Sequence, residues 1–399
     1  MLSQGGGYVR NDSKNNSKDN VIELRIRKKV RPLTQHEKSR LEKLLYTWRD
    51  LIDHGKTDEA TELLPSLLRC EDEHEDLHLI FIYNLFCARY YRALSETENF
   101  DEVMSFLSGW RHKFLDEHNY YYYRLIAFSE HEARRYKSAL EAYYAAEESD
   151  PIYEWIDVGF YYSFGCCLMD MGYIHKAIGY LEKALEKANS SGNHIYDVYI
   201  KGYMAQILSK IGKDDDAIEI LNSCLHGEKN RNLSRLASGW VHLHYGIVFS
   251  NLLNYDEAIK NYDAAFQFIE KNSELYIRTL YNKSEALIAT NKTDEGITCI
   301  NNGMGLLSEK EEWMGIWGAL FDALRHSVSL HKPEAILHMK TTAIPKLLEF
   351  GQYAEAIYYY KMICSFYEEA GDASQALKYS HKVAEIYCKY VEDRVEGAV

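Results

Sequence analysis

Several acidic and histidine side chains in this sequence are of types that bind metals or transfer protons. The acidic run EDEHED occupies residues 71–76, and histidines occur in pairs such as His112 with His118 and His242 with His244. A zinc site needs further carboxylate or thiolate ligands beside such a pair, and the sequence places none there. The GxGxxG, Walker A, GxSxG and HExxH motifs are absent. We therefore expect no catalytic residue, no metal, no cofactor and no enzyme activity.

A second set of side chains suits the binding of an extended peptide. These are amide, aromatic and charged residues that stand 18, 15, 14, 11 or 7 positions before a repeated small residue. Amide side chains can pair with the N–H and C=O groups of a peptide, and charged ones can select its side chains. The alternative for each residue is a polar group that is solvated or lies between helices. The predicted peptide-binding residues are Arg124, Tyr162, Asp170, Tyr199, Tyr203, Gln206, Lys210, Trp240, His244, Asn251, Arg278, Asn282 and Glu285.

These positions are defined by a short pattern that recurs along the chain. Each copy has a turn, commonly with Gly or Asn, then polar residues, then a small residue followed by an aliphatic one, as in GYIHKAI and GKDDDAI. Successive copies are 36 to 43 residues apart, a period typical of helix-turn-helix repeats such as the tetratricopeptide repeat (TPR). The anchor residues are Ala60, Val103, Ala139, Ala177, Ala217, Ala258, Gly296, Ala335 and Ala376.

A second register supports the pairing of two helices in each repeat. Twelve positions before the anchor, the six central repeats all have a small residue, which lets two helix backbones approach closely. These residues are Ala127, Gly165, Ala205, Gly246, Ser284 and Ala323. Nine positions before the anchor stand Leu168, Leu208, Phe249 and Leu287, which predict a buried helix face.

The repeats predict an all-α protein, a TPR-type α-solenoid in which helix pairs wind into a right-handed superhelix whose first helices line a binding groove. We predict a flexible basic tail at residues 1–33, a small N-terminal helical bundle at 34–115 and a superhelical peptide-binding domain at 116–399. The alternative for the basic tail segment IELRIRKKVRP is that it attracts an acidic partner or nucleic acid. The predicted pairs place a break between helices near residues 115 and 119.

Composition limits the function further. The hydrophobic fraction of 46% excludes general disorder, and the net charge of −14 argues against a nucleic-acid binder. The sequence has no apolar stretch long enough to cross a membrane, and its N-terminus lacks the apolar core of a signal peptide. The 8 cysteines show no CxxC spacing, which favours free thiols in a reducing compartment. We expect a cytosolic protein with no membrane partner.

Over roughly residues 40 to 393 the chain resembles the Rap and NprR-like peptide receptors of Gram-positive bacteria, which are quorum-sensing regulators. The stretches that carry the resemblance are IYNLFCARYYRAL, YYYYRLIAFSEHEARRYKSALEAYYAAEE, CINNGM and the C-terminal TTAIPKLLEFGQYAEAIYYYKMICSFYEEAGDASQALKYSHKVAEI. The resemblance implies a cytosolic receptor for a short imported signalling peptide. It implies action on a response regulator or, in members with a helix-turn-helix domain, on DNA.

Three departures from the family pattern refine that expectation. About 33 residues precede the first predicted helix, too few for a helix-turn-helix domain, so we do not expect direct DNA binding. Phosphatase members use a Gln where this sequence has Leu77, so we do not expect phosphatase activity. The family clamps the peptide backbone with an Asn that stands 14 positions before the anchor. This sequence has His244 at the matching position and Asn282 at the same offset of the next repeat.

We therefore predict a regulatory receptor that binds a short signalling peptide in its groove. Peptide binding would control an interaction of the N-terminal bundle with a protein partner, such as a response regulator or a transcription factor. Sporulation is one process such a regulator would serve, and a homodimer is a further partner to test. The alternatives are an aspartyl-phosphate phosphatase that uses helices 35–115, and a constitutive TPR scaffold.

Overall fold

The computed structural model describes residues 33–53, 56–71, 76–94, 96–132, 135–150, 157–191, 194–226, 233–271, 273–308 and 311–396. Residues 1–32 of the predicted basic tail lie outside the described part of the chain. The described residues form helices and no strand, as the all-α prediction requires. The chain divides into two compact units, unit 1 (Met1–Leu125) and unit 2 (Ile126–Val399).

The described residues of unit 1 form three helices and the first part of a fourth. They are α1 (Gln35–Asp53), α2 (Thr57–Glu71), α3 (Leu77–Ala93) and α4 (Thr97–Glu132). Trp48 of α1 is completely buried, stacks on Tyr83 with 5.9 Å between ring centroids, and donates its Nε1–H to the carbonyl of Ala60 at 3.0 Å. Burial of this ring stabilises the packing of α1 against α2 and α3.

One predicted feature is wrong. The break expected near residues 115 and 119 is absent, since α4 is continuous from Thr97 to Glu132. The sequence between residues 110 and 132 contains neither Gly nor Pro, so nothing in it interrupts the backbone hydrogen bonds of a helix. The domain limits at residues 115 and 116 stay a prediction.

Unit 2 is an array of helix pairs. Its helices after α4 are α5 (Tyr136–Glu148), α6 (Val158–Asp170), α7 (Ile174–Ser191), α8 (His194–Lys210), α9 (Asp214–His226), α10 (Arg235–Asn251), α11 (Tyr255–Ala265), α12 (Glu274–Ala289), α13 (Thr293–Leu307), α14 (Glu311–Ser327), α15 (Pro333–His338), α16 (Ile344–Glu349), α17 (Tyr353–Glu369) and α18 (Ala373–Glu396). Consecutive helices pack on each other, and the first helices of successive repeats also touch, α6 with α8, α8 with α10, α10 with α12 and α12 with α14. These first helices therefore form one layer.

The small residues predicted between paired helices are all buried. A Cβ atom added to Gly165 would lie 2.9 Å from Leu181 Cγ, and one added to Gly246 would overlap the ring of Tyr262. The close-approach prediction is confirmed by this geometry. Nine positions before the anchors, Leu168 and Leu287 are buried as predicted, whereas Leu208 and Phe249 are only partly buried.

The second helix of the α14 repeat departs from regular α-helix. Between α15 and α16 the segment Met339–Ala343 forms a π-helix, which begins directly after His338. Pro345 follows in the first turn of α16 and has no N–H to donate to a regular helix. A π-helical widening is one of the ways in which a helix accommodates such an interruption, and such segments are frequent at functional sites.

We expect the substitution Gly246→Ala to lower the free energy of unfolding by about 1–3 kcal/mol, because the new methyl group must displace the buried ring of Tyr262. Gly179 provides a matched control on α7, since a Cβ there meets nothing within 4 Å. Gly179→Ala should raise the free energy of unfolding by roughly 0.5–1 kcal/mol, because alanine is the better helix former. Urea unfolding followed by circular dichroism measures both variants. A free energy of unfolding that is unchanged or raised in Gly246→Ala would contradict the close approach.

Candidate functional site

Unit 2 contains a cavity of about 730 Å³, which lies along its layer of first helices. The wall is formed mainly by α6, α8, α10, α12 and α14, together with the turn after α16 and the first residues of α17, at residues 351–355. Tyr136 of α5 and Ile174 at the start of α7 complete it. This volume is within the range of pockets that hold small ligands. The predicted residues that line it are Asp170, Tyr203, Gln206, Lys210, Trp240, Arg278 and Asn282.

The wall of the cavity carries buried polar atoms without a hydrogen-bond partner among the described residues. They are Oε1 of Gln206 and Nε1 of Trp240, each in a residue that is 9% exposed. Folded proteins pair nearly all their buried polar groups, because an unpaired one costs about 1–3 kcal/mol. Both atoms are buried, and Trp240 Nε1 packs against Gly202 of α8, so a ligand could complete their hydrogen bonds only after these side chains turn towards the cavity.

Arg278 supplies a positive charge to the same wall. Its guanidinium lies 5.9 Å from the ring centroids of both Tyr203 and Trp240, and its Nη1 is 3.5 Å from the Tyr203 hydroxyl. Among the described residues, no carboxylate forms an ion pair with it. The nearby carboxylate of Asp170 is paired with His131 instead, at 3.0 Å. Arg278 is therefore a partly buried cation, flanked by aromatic rings, that can accept a carboxylate from a ligand.

His244 lies behind this wall and does not face the cavity. It is completely buried, its ring lies 4.6 Å from that of Trp240, and neither ring nitrogen has a described partner. Burial, reinforced by the charge of Arg278, holds the pKa of His244 well below its usual value, so the ring is neutral. In this structure the ring of His244 is buried outside the cavity lining, and its role in peptide binding stays a prediction. Gly202 of α8 has no side chain to keep His244 and Trp240 at a distance, since a Cβ there would lie 2.9 Å from His244 Cδ2.

The other predicted residues outside the cavity wall have varied surroundings. Tyr162 and Tyr199 pack behind it, with ring centroids 5.6 Å from Tyr203 and 5.2 Å from Trp240 respectively. Asn251 is exposed and donates from Nδ2 to Ser209 at 3.2 Å. Arg124 belongs to unit 1, where it is buried with its guanidinium 5.9 Å from the ring centroid of Tyr120.

Within the wall, Asn282 donates from Nδ2 to the carbonyl of Arg278 at 2.8 Å.

Glu285 lies on α12, and its carboxylate accepts a hydrogen bond from the hydroxyl of Tyr281 at 2.9 Å. Tyr281 and Glu355 both line the cavity, so Glu285 adds negative charge behind that part of the wall. Burial raises the pKa of Glu285 to about 7, and repulsion by Glu355 adds to the effect. Near neutral pH this carboxyl group is therefore close to half protonated.

We expect the raised pKa of Glu285 to make the free energy of unfolding fall between pH 4.5 and 7. In this range the folded chain keeps the proton, whereas the unfolded chain, with the ordinary pKa of 4.5, has lost it. Glu285→Gln should make this fall shallower and raise the free energy of unfolding at pH 8 by on the order of 1 kcal/mol. Urea unfolding at several pH values measures the slope. Glu295→Gln, at an exposed site on α13, is the matched control, and equal slopes in both variants would contradict the assignment.

Some residues of the cavity wall were missed by the sequence predictions. Tyr281 stands 15 positions before its anchor and Trp317 stands 18 before, so the repeat register could have found both. Trp317 donates from Nε1 to Glu274 Oε1 at 3.1 Å, which joins α14 to α12 at the cavity. Residues 351–355 carry no such signal, because they belong to the turn before α17 and to its first residues, which are not at a first-helix offset.

Comparison with known proteins finds similar sequences and folds among TPR proteins. The tetratricopeptide repeat model matches residues 158–188. The chain is 21% identical over 364 residues to the transcriptional activator NprA of Geobacillus stearothermophilus, covering 88% of each protein. It aligns with a Rap protein complexed with competence and sporulation factor at a TM-score of 0.77 and 17% identity, covering 89% of this chain and 99% of that one. For NprR in complex with its cognate peptide NprX the TM-score is 0.71 at 16% identity, covering 87% and 99%.

These similarities confirm the predicted TPR-type α-solenoid and the resemblance in fold to the Rap and NprR proteins. Within the described part of the chain, no helix has both the length and the apolar composition that crossing a membrane requires.

Proposed function

We propose that this chain, a TPR-type solenoid with the fold of the Rap and NprR proteins, is a regulatory receptor that binds a short peptide in the cavity of unit 2. The observation that carries the proposal is the set of polar groups on the cavity wall: Gln206 Oε1 and Trp240 Nε1, which have no described hydrogen-bond partner, and the guanidinium of Arg278, which has no described ion-pair partner. A peptide offers the complementary groups, namely N–H donors, C=O acceptors and a carboxylate. The structure of NprR in complex with its cognate peptide supports the same role for this chain.

The chemistry of the wall suggests how the peptide is held. The amides of Gln206 and Asn282 stand on α8 and α12, so they can pair with backbone groups at two points of an extended chain. The indole N–H of Trp240 can donate to a peptide carbonyl between them. A peptide carboxylate, from its C-terminus or an acidic side chain, would be held by Arg278 in a charge-assisted hydrogen bond. The exposed Lys210 at the cavity adds a weaker attraction for the same charge.

Peptide binding would regulate by favouring one arrangement of the repeats. The cavity wall draws side chains from five first helices and a turn, so one peptide bridges several repeats. A ligand that binds one arrangement better shifts the population towards it by the difference in binding free energy. We infer that this shift changes the affinity of unit 1 for a protein partner, such as a response regulator or a transcription factor, by the same coupling free energy.

The proposal is tested in two steps. Short peptides secreted by the host are first screened for binding to the full chain by thermal shift and calorimetry. Protein partners are then captured with and without the peptide that binds best. The proposal predicts that a peptide binds and that it changes partner capture. Capture of one partner regardless of any peptide would indicate a constitutive scaffold, and dephosphorylation of a purified response regulator would indicate a phosphatase; either outcome would overturn it.

A further inference from the structure

A cluster of two histidines and one aspartate lies outside the cavity, on the repeat formed by α14 to α16. Asp322 and His326 stand one turn apart on α14, and His338 is the last residue of α15. Asp322 Oδ2 is 2.8 Å from His338 Nε2, and Asp322 Oδ1 is 3.3 Å from His326 Nδ1. The two imidazole rings stack with 3.9 Å between centroids. One ligand atom from each of the three residues falls within 4.8 Å of the others.

We propose that Asp322, His326 and His338 bind a divalent transition-metal ion, with Zn²⁺ as the best fit. Two imidazole nitrogens and one carboxylate oxygen form a donor set that Zn²⁺ takes in open sites, where water completes the tetrahedron. The side chains are partly exposed, 24% for Asp322, 30% for His326 and 34% for His338, so an ion and its water have access. The site is independent of the peptide-binding proposal.

The surroundings of Asp322 favour a metal over an ordinary ion pair. Asp322 forms ion pairs with the two histidines, and neither Arg325 nor any other described lysine or arginine is paired with it. His326 Nδ1 also lies 2.9 Å from the backbone carbonyl oxygen of Asp322, so a hydrogen bond there leaves Nε2 of this ring for an ion. A single divalent ion bound by both rings and this carboxylate would supply the positive charge that Asp322 receives from no described lysine or arginine.

The placement of His338 gives the site a structural consequence. The π-helix Met339–Ala343 begins at the next residue, so His338 stands where the second helix of the repeat changes its winding. A metal ion held from α14 and α15 would fix these helices to each other. Because α14 also contributes Trp317 and Leu320 to the cavity wall, the ion would stiffen one side of the peptide site.

The test uses the full chain after treatment with a chelator and titrates it with ZnCl₂ by calorimetry. The proposal predicts one equivalent bound per chain with micromolar or tighter affinity, and a rise in the thermal midpoint. His338→Ala and Asp322→Asn should each weaken binding more than about tenfold. His331→Ala changes an exposed histidine between α14 and α15 and should leave binding unchanged.

The cysteine thiols are the competing ligands, so a second readout separates the two possibilities. Co²⁺ bound by histidine and carboxylate shows visible absorption bands without the intense charge-transfer bands that thiolate ligands add. The proposal predicts the former, lost in His338→Ala while the circular dichroism of that variant is unchanged. Absence of micromolar binding, binding retained at full strength in His338→Ala, or a thiolate spectrum would each overturn it.

Discussion

Replacing Arg278 by methionine should weaken binding of an acidic peptide by about 2–5 kcal/mol, a loss of roughly 30-fold or more. The guanidinium has no ion-pair partner among the described residues and lies between the rings of Tyr203 and Trp240. A carboxylate that loses this cation would be left in the cavity without a counter-charge. Methionine keeps much of the length and apolar contact of the stem, so the thermal midpoint of the free protein should change little. Peptides selected from a random hexapeptide library and measured by fluorescence anisotropy provide the test.

Lys210 is the matched control for this substitution. It lines the same cavity and carries the same charge but is exposed, so Lys210→Met should cost less than about 1 kcal/mol. If the library contains each peptide with a free and with an amidated C-terminus, the wild-type protein should select peptides with a free C-terminus or an acidic side chain over neutral amidated ones, and the Arg278→Met protein should not. Equal affinities for the two variants, or selection of neutral peptides by the wild type, would count against a carboxylate at Arg278.

The double substitution Gln206→Leu with Asn282→Leu should weaken peptide binding by at least about 2 kcal/mol. Each amide is expected to pair with the peptide backbone, whose N–H and C=O groups then lose their partners in a cavity with little water. The loss should be similar for peptides of different sequence, because backbone pairing does not depend on side chains. The free protein should keep its stability, since the leucine at position 206 removes a buried oxygen that has no described partner.

Asn251→Leu is the control for the amide substitutions. Asn251 occupies a predicted peptide-binding offset but is exposed and lies outside the cavity wall, so binding should be unchanged. Anisotropy titration with the selected peptides measures all three proteins. A loss in Asn251→Leu equal to that of the double variant would mean that the peptide lies elsewhere on unit 2.

The parts of the fold that follow from local contacts were predictable from the sequence. Small residues twelve positions before the anchors of the six central repeats indicate where two helices meet, and a Cβ at Gly165 or Gly246 would indeed collide with the facing helix. The same register selected several cavity residues, because a position on a first helix faces the same way in each repeat. Tyr281 and Trp317 stand at the same offsets and line the cavity, although they are not among the predicted peptide-binding residues.

Other features depend on neighbours that the repeat register does not contain. The burial of His244 results from the absence of a side chain at Gly202 on a different helix. The continuity of α4 depends on the whole stretch between residues 110 and 132 and not on a repeat position. The cluster of Asp322, His326 and His338 was invisible to a search for neighbouring histidines, because its third member is 12 residues further along, across the turn from α14 to α15.

The replacement of an expected asparagine by His244 changes how the proposed site works. An amide at this offset would be available to a peptide, whereas the neutral, buried ring of His244 supports Trp240 from behind. In this repeat Trp240, and in the neighbouring first helices the amides of Gln206 and Asn282, would then bind the backbone of the peptide. A peptide recognised by this chain is therefore expected to differ in sequence from those of the Rap and NprR proteins.

A crystal structure of the full chain with the tightest peptide from the library tests the central claim most directly. We predict an extended peptide in the cavity of unit 2, with backbone groups hydrogen-bonded to Gln206 and Asn282 and a carboxylate on the guanidinium of Arg278. A peptide bound on another surface, with these three side chains arranged as in the free protein, would contradict the account.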